Sequence, residues 1–422
     1  MSAATERDGL LFVENVSLLD VAERYGTPCY VYSKAALVDG YRQYRSAFGA
    51  RDHLILYAVK ANSNIAVLRL LAEMGCGFDI VSGGELARVL AAGADPARVV
   101  FSGVGKSTAE IRQALAARIL CFNAESEAEL ERISALSVDA ALTANVSLRV
   151  NPDVDACTHP YISTGLRQDK FGVEHSRAVA LCRKARTLPR LRVTGIGCHI
   201  GSQITDVGPF TAATERIVAL CGQLRAEGFE IEHLDLGGGL GIRYQPEEHP
   251  PSIAEYVTAL VSAIGKLDAR ILVEPGRSLI GNAGMLLTRV EYVKQTAERC
   301  FVIVDAAMND LIRPALYEAW HDIRPVHVRH RGRERICQVV GPICESGDFL
   351  GHDRLLDVEA GDLMLIDSAG AYGMSMSSNY NSRARAPEVM IDGVHAHLIR
   401  SRETIDELYA RELFLPTTDH NT

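Results

Sequence analysis

The chain has 422 residues, 47% hydrophobic and 23% charged, a balance that excludes disordered and fibrous classes and allows two domains with sizeable cores. Its 44 basic and 53 acidic residues leave a formal charge of −9, which argues against a nucleic-acid or anionic-membrane binder and for a small-molecule substrate. No apolar stretch reaches the roughly 20 residues of a membrane span. The start, MSAATERDG, lacks an apolar signal core, and the ten cysteines contain no CxxC pair, so a reduced, cytoplasmic protein without a metal site is expected.

In chain order, LLFVEN from Leu10 and PCYVYS from Pro28 read as strands, joined by a short helix for which Ser17 is the expected N-cap. From about residue 33 to 282, short β-branched apolar runs alternate with longer Ala-, Leu-, Glu- and Arg-rich helical patterns. The runs are LILYAV from Leu54, FDIV from Phe78, VVFS from Val99, ILCFN from Ile119, VSLRV from Val146, TGIGCHI from Thr194, HLDL from His233 and RILV from Arg270. Helical patterns fall between them, for example over 84–92, 107–117, 126–135, 209–227 and 252–266. Eight strands alternating with helices predict an α/β fold with a parallel (β/α)8 TIM barrel, with an open doubly wound sheet as the alternative.

After residue 284 the pattern changes to LLTRVEYV, CFVIVDAA, PVHVRH, RICQVV, DLMLIDSA and PEVMID, which reads as an antiparallel β-domain, a sandwich or barrel, completed by the N-terminal strands. The expected domains are a barrel over 36–283 and a β-domain made of 1–35 and 284–422.

The unusual polar residues follow the C-terminal ends of the predicted barrel strands, the face on which barrel enzymes carry their active sites. Lys60 follows the first run, Ser82-Gly83-Gly84-Glu85 the second, Ser102-Gly103 the third and Arg149 to Asn151 the fifth. Cys198-His199-Ile200-Gly201-Ser202 follows the sixth, Gly237-Gly238-Gly239 the seventh and Glu274-Pro275-Gly276-Arg277 the eighth.

Lys60 at the end of an apolar strand either snorkels its head to water or is buried. Burial alone would push its pKa below the usual value of about 10.4, giving a nucleophilic amine of the kind that forms Schiff bases with carbonyl compounds such as pyridoxal phosphate, PLP. GGGLG at 237–241 is a plain turn or a loop whose N–H groups close on an anion. Its place after the seventh strand, with EPGR after the eighth, favours a phosphate-bearing cofactor. Glu274 could keep a cofactor's pyridine nitrogen protonated, or form a rim salt bridge with Arg277. His199 is a structural histidine or one lying flat against the cofactor ring. In the β-domain, Cys344-Glu345-Ser346-Gly347-Asp348 and Ala371-Tyr372-Gly373-Met374 interrupt regular strands. There the cysteine could protonate a carbanion and the glutamate bind an ammonium, although a buried inert cysteine is the commoner case.

Together these motifs resemble the fold-type III PLP enzymes, and within them the diaminopimelate decarboxylase family. The resemblance covers nearly the whole chain. It rests on YAVKAN, FDIVSGGE, RVNPDVDA with THPYISTGLRQDKFG, CHIGSQ, LGGGLG, EPGRS, GPICESGD and GAYGMSMSSNYNSR, in the family's order and spacing. It implies decarboxylation of meso-diaminopimelate at its D-centre to L-lysine, and a homodimer with active sites shared between subunits.

Position by position, the resemblance makes Lys60 the Schiff-base lysine, His199 the residue stacked on the ring and Glu274 the partner of the pyridine nitrogen. It puts Ser202, Gly238, Gly239, Gly276, Arg277 and Tyr372 against the cofactor. It assigns Arg277, Arg313, Tyr317, Glu345 and Tyr372 to the substrate, and Cys344, from the other subunit, to proton donation. Residues 153–169 look like a loop covering the pocket. Relatives acting on ornithine, arginine, lysine or carboxynorspermidine are the rival reading, and those specific for simple diamines usually carry aspartate where this chain has Glu345. A regulator that has lost the cofactor contacts is the other, and Lys60, Glu274 and Cys344 argue against it.

Overall fold

A computed structural model describes residues 2–155, 170–328 and 332–416. The eight apolar runs become the parallel strands β1 (His53–Ala58), β2 (Gly77–Ile80), β3 (Val99–Phe101), β4 (Cys121–Ala124), β5 (Ala144–Asn151), β6 (Leu191–Gly197), β7 (His233–Asp235) and β8 (Arg270–Val273). Each pairs with its neighbour in chain order, and β8 returns to β1 through Leu272 opposite Leu54, so the sheet closes into a barrel. Closure removes the edges that an open sheet would expose. A two-residue strand, Val173–Glu174, adds to β5 beyond residue 170. The predicted covering loop, 153–169, lies mostly outside the described residues.

The helices between the strands start where the sequence supplies caps. Asn64, Ser82, Ser107, Ser126 and Ser252 each accept a hydrogen bond from a backbone N–H in the first turn of the helix that follows, and Glu110 and Glu255 complete capping boxes. Fixing the helix starts fixes the loops just after the strands, where the polar motifs sit. Leu54, Leu56, Val100, Cys121 and Leu272 from four barrel strands form one buried apolar cluster. Burial of each leucine side chain stabilises the fold by roughly 1.5–3 kcal/mol.

The glycines of β6 are required by a close approach. Gly195 lies beside His233 of β7, and a Cβ there would come within 2.1 Å of the His233 Nε2; at Gly197 it would come within 2.6 Å of the Asp235 Cβ. Small residues on β6 therefore make room for His233 and Asp235. His233, with Cys121 Sγ 3.7 Å from its Nε2, is pushed by burial, assisted by the Arg270 charge, down to a pKa of about 4.

The chain divides into two compact units, one of residues Met1–Ala4, Ser33–Met285 and Asp367–Ser375, the other of Thr5–Tyr32, Leu286–Ile366 and Met376–Thr422. In the first unit the late segment packs by backbone hydrogen bonds onto the end of the barrel: Ala369 N–H donates to Gly284 O at 2.8 Å, and Tyr372 N–H to Ala61 O at 2.8 Å. In the second unit Ser17 caps the helix Leu18–Tyr25, and the N-terminal strand Cys29–Ser33 lies between Gly284–Gln295 and Glu388–Asp392 in a sheet that has nine strands among the described residues. This sheet is not wholly antiparallel, since Cys300–Val304 and Arg335–Val340 run parallel. Strands Phe349–Leu356 and His395–Arg400 join it beyond those predicted.

Replacing Gly195 by alanine should cost roughly 1–3 kcal/mol of stability by overpacking against His233, read as a lower urea midpoint at unchanged m-value. His233, neutral when folded, takes up a proton on unfolding between pH about 4 and 6.5. Acid in that window therefore favours the unfolded chain. Its contribution to stability should rise with pH at up to about 1.4 kcal/mol per unit and level off above 6.5, a slope that His233→Gln should remove from a pH series of denaturation curves.

Candidate active site

Lys60 sits in a tight turn, Val59–Ala61, directly after β1. The chain beyond it is pinned: Tyr57 Oη donates to Asn62 O at 3.1 Å, Asn64 N–H to Asn62 Oδ1 at 3.0 Å, and Arg88 Nη1 to Ser63 O at 3.0 Å. Those contacts aim the Lys60 side chain at Asp79 of β2, and Nζ donates to Asp79 Oδ2 at 2.8 Å. Asp79 is fully buried, while about a third of the Lys60 side chain (36%) remains exposed.

The charge state of Lys60 departs from the expectation that burial would leave a neutral amine. Burial does oppose the charge, but the Asp79 carboxylate, by its charge and its hydrogen bond, outweighs burial and holds the Lys60 pKa above its ordinary value. The other oxygen of Asp79, Oδ1, has no hydrogen-bond partner although it is buried. Such an atom is costly unless something else meets it.

Glu274 follows β8 and is buried, 7% exposed. Its carboxyl lies well above the ordinary carboxylate range, through burial first and then through the charges of Asp235 and Asp79. Asp235, at the end of β7, shares a hydrogen bond with Glu274 and has a raised pKa, again mainly from burial. It accepts from Asn123 Nδ2 at 3.0 Å and from Gly237 N–H at 3.0 Å, and Asn123 also reaches Ser102 Oγ at 3.1 Å. Of the two carboxyls, Glu274 keeps the proton.

His199, after β6, is held well below the usual histidine pKa by burial, with the charges of Arg149 and Lys60 adding to the effect. Its Nδ1 accepts from Gly238 N–H at 3.2 Å, so the neutral ring carries its hydrogen on Nε2. Gly239 has φ +110°, and a Cβ there would lie 2.4 Å from Gly201 O. A Cβ on Gly276 would meet the methyls of Ala61 and Ala58 at 3.0 and 3.1 Å. The loops after β6, β7 and β8 thus close on one another as bare backbone.

Arg277 opens the short helix Arg277–Ile280. It donates from Nη1 to Tyr244 Oη at 2.6 Å and from Nη2 to Ser202 Oγ at 3.1 Å, and its guanidinium stands 4.9 Å from the Tyr372 ring centre. Tyr372 adopts φ +57°, a region non-glycine residues seldom use, and is held there by its N–H bond to Ala61 O, next to Lys60. Lys60, His199, Ser202, Gly238, Gly239, Glu274, Gly276, Arg277 and Tyr372 are therefore gathered in one unit.

The remaining predicted site residues belong to the other unit. Arg313 is buried, with Nη1 2.9 Å from His321 Nε2. Tyr317 ends the same short helix, Arg313–Tyr317. Cys344 and Glu345 are exposed, and the Glu345 carboxylate accepts a short hydrogen bond from Tyr380 Oη. Cys344 is thus not a buried thiol. Asp79, Asp235, Asn123, Tyr244 and Tyr380 were not singled out in the sequence. The signal for the first two was an acid inside the apolar runs FDIV and HLDL, as expensive there as Lys60 after LILYAV.

The residues present fit PLP: a strand-end amine for its aldehyde, a protonated carboxyl for its ring nitrogen, a flat neutral imidazole, and bare glycine loops beside a serine and an arginine for its phosphate. Asp79→Asn removes the carboxylate that keeps Lys60 charged. At pH 8 it should raise the rate at which a small aldehyde with borohydride traps Lys60, about tenfold for each unit its pKa falls, measured by mass spectrometry of the Lys60 peptide.

Residues 34–281 match the family described as pyridoxal-dependent decarboxylase, pyridoxal binding domain. The chain is 54% identical over 416 residues to a diaminopimelate decarboxylase of Pseudomonas aeruginosa, covering 99% of this chain and 100% of the relative. It is 47% identical to one of Aquifex aeolicus, covering 95% of each. Among solved structures, diaminopimelate decarboxylase from M. jannaschii in complex with L-lysine superposes with a TM-score of 0.94 at 38% identity, covering 98% of each chain. The enzyme from Helicobacter pylori with L-lysine gives 0.90 at 41%, covering 94% of this chain and 99% of the other. A lysine paired with a buried carboxylate at the mouth of a closed barrel, and this likeness along nearly the full length, lead to one conclusion: the chain belongs to the pyridoxal-dependent decarboxylase family.

Proposed function

We propose that the protein decarboxylates meso-2,6-diaminopimelate at its D-centre, giving L-lysine and carbon dioxide, the last step of lysine biosynthesis. The observation that carries the reading is the joint placement of Lys60, Asp79, Glu274 and Asp235 at one end of the barrel. The names of the full-length relatives, and the lysine held by two of the solved structures, support the choice of substrate.

PLP, when bound, supplies an electron sink for the pair released as the bond from Cα to its carboxylate breaks. Lys60 would hold it through the ε-amine, and His199 would lie against the ring. Glu274 would place its proton at the pyridine nitrogen and, as the resulting carboxylate, pair with the charged ring, while Asn123 and Gly237 hold Asp235 beside it. Ser202, Gly238, Gly239, Gly276, Arg277 and Tyr372 would hold the phosphate end.

The substrate's far end carries an ammonium and a carboxylate. Glu345 is assigned to the ammonium and Arg313 to the carboxylate, with Arg277, Tyr317 and Tyr372 completing the contacts. Cys344 Sγ then donates the proton to Cα. In this reading residues 36–283 are the cofactor domain, and 1–35 with 284–422 the β-domain. The working form is a cytoplasmic homodimer with shared active sites, in which each Cys344 serves the neighbouring subunit's barrel. Among the described residues no helix is long and apolar enough to cross a membrane.

The test is carbon dioxide release from a panel of diamino acids. Meso-diaminopimelate should be turned over to lysine, with ornithine and arginine far slower; activity on ornithine and none on diaminopimelate would overturn the assignment. Lys60→Ala should abolish release. Cys344→Ala should lower kcat roughly 100-fold with a much smaller change in KM, as loss of a general acid does.

A further inference from the structure

The turn that carries Cys344 and Glu345 is exposed on all four residues from Cys344 to Gly347, yet it is tightly specified. Ile343 N–H donates to Asp348 Oδ2 at 2.8 Å, and Glu345 N–H to Ile343 O at 2.8 Å. The chain around residue 380 faces this turn. Asn381 Oδ1 accepts from Cys344 N–H at 2.8 Å, and Tyr380 Oη donates to the Glu345 carboxylate. Asn381 and Ser382 both have positive φ, +55° and +53°. Two consecutive non-glycine residues in that region persist only where the surroundings over-determine them.

The surroundings do so here. Ser378 N–H donates to Asn309 O at 2.9 Å, Asn379 Nδ2 to Glu403 Oε2 at 2.7 Å, and Arg383 Nη2 to Asp305 O at 2.8 Å. The segment is anchored at both ends, and its middle spends two side chains on Cys344 and Glu345. A hydrated surface glutamate would otherwise sample many rotamers, and an ammonium arriving from solution would have to order it.

We infer that Tyr380 is a positioning residue for substrate specificity, its hydroxyl fixing the Glu345 carboxylate in the orientation that receives the distal ammonium of the substrate. This rests on the assignment of Glu345 above and adds to it a residue that need not touch the substrate. Hydrogen bonding to Glu345, together with its charge, raises the Tyr380 pKa, so the phenol stays a donor at neutral pH. A bond to Oε1 leaves Glu345 acceptor capacity for a cation with three N–H donors.

Tyr380 is 45% exposed, so phenylalanine removes one oxygen without opening the core. Two substrates discriminate the role: meso-diaminopimelate, and D-2-aminopimelate, which lacks the distal amine and keeps the distal carboxylate. Tyr380→Phe should raise KM for diaminopimelate about tenfold at little-changed kcat, and leave both constants for aminopimelate as they were. Glu345→Gln should show the same selective loss, larger in size.

An unchanged KM for diaminopimelate in Tyr380→Phe would overturn the inference, as would an equal loss on both substrates, which marks a merely structural role. If Glu345→Gln is active with unaltered selectivity, the ammonium assignment of Glu345 falls and Tyr380 with it. Failure of the unaltered protein to turn over diaminopimelate at all would overturn the proposed function itself.

Discussion

Three carboxyl groups and one ammonium share the mouth of the barrel, and their mutual compensation is the condition on which the site depends. Asp79 is fully buried and keeps Lys60 charged from 2.8 Å away. Glu274 and Asp235, equally removed from water, resolve their repulsion by sharing a proton that Glu274 keeps. Isolated charges in such a place would each cost several kcal/mol. The cluster is tolerable because Lys60 neutralises Asp79, the shared proton leaves a single charge on the Glu274–Asp235 pair, and Asn123 and Gly237 donate hydrogen bonds to Asp235.

That arrangement needs empty space in the sheet, which explains the glycines. Gly195 and Gly197 on β6 leave the volume that His233 and Asp235 occupy. Asn123 and Gly237 hold both oxygens of Asp235, so the residue beside Glu274 has no freedom to turn away. The strain at Tyr372 serves the same end, because its N–H bond to Ala61 locks a residue from far along the chain against the turn that presents Lys60. Rigid backbone, not a mobile loop, therefore sets the distances among the charged groups.

The barrel was legible because its strands are apolar on both faces and read as continuous β-branched runs, each closed by turn residues and a helix cap. The rim residues were legible as polar side chains at the ends of those runs. Asp79 and Asp235 were not, because one acid inside a four-residue apolar strand is masked by its neighbours. The parallel pairing of Cys300–Val304 with Arg335–Val340 was illegible for another reason: side chains alternate with period two whichever way the partner strand runs. The bond from Tyr380 to Glu345 joins two loops, whose conformations periodicity does not encode.

The sequence by itself determined the order of elements, the count of eight strands and the identity of the groups at their ends, since local propensity and hydrophobic pattern act within a few residues; that the eight close on themselves was decided by the pairing of Leu272 with Leu54. Tertiary structure alone decided the chemistry of those groups. Lys60 viewed in its own strand is a lysine that burial should neutralise; folded, it is an ammonium, because β2 brings the Asp79 carboxylate within hydrogen-bonding distance. Desolvation and Coulomb attraction are both set by what lies within a few ångströms, and those neighbours come from distant parts of the chain.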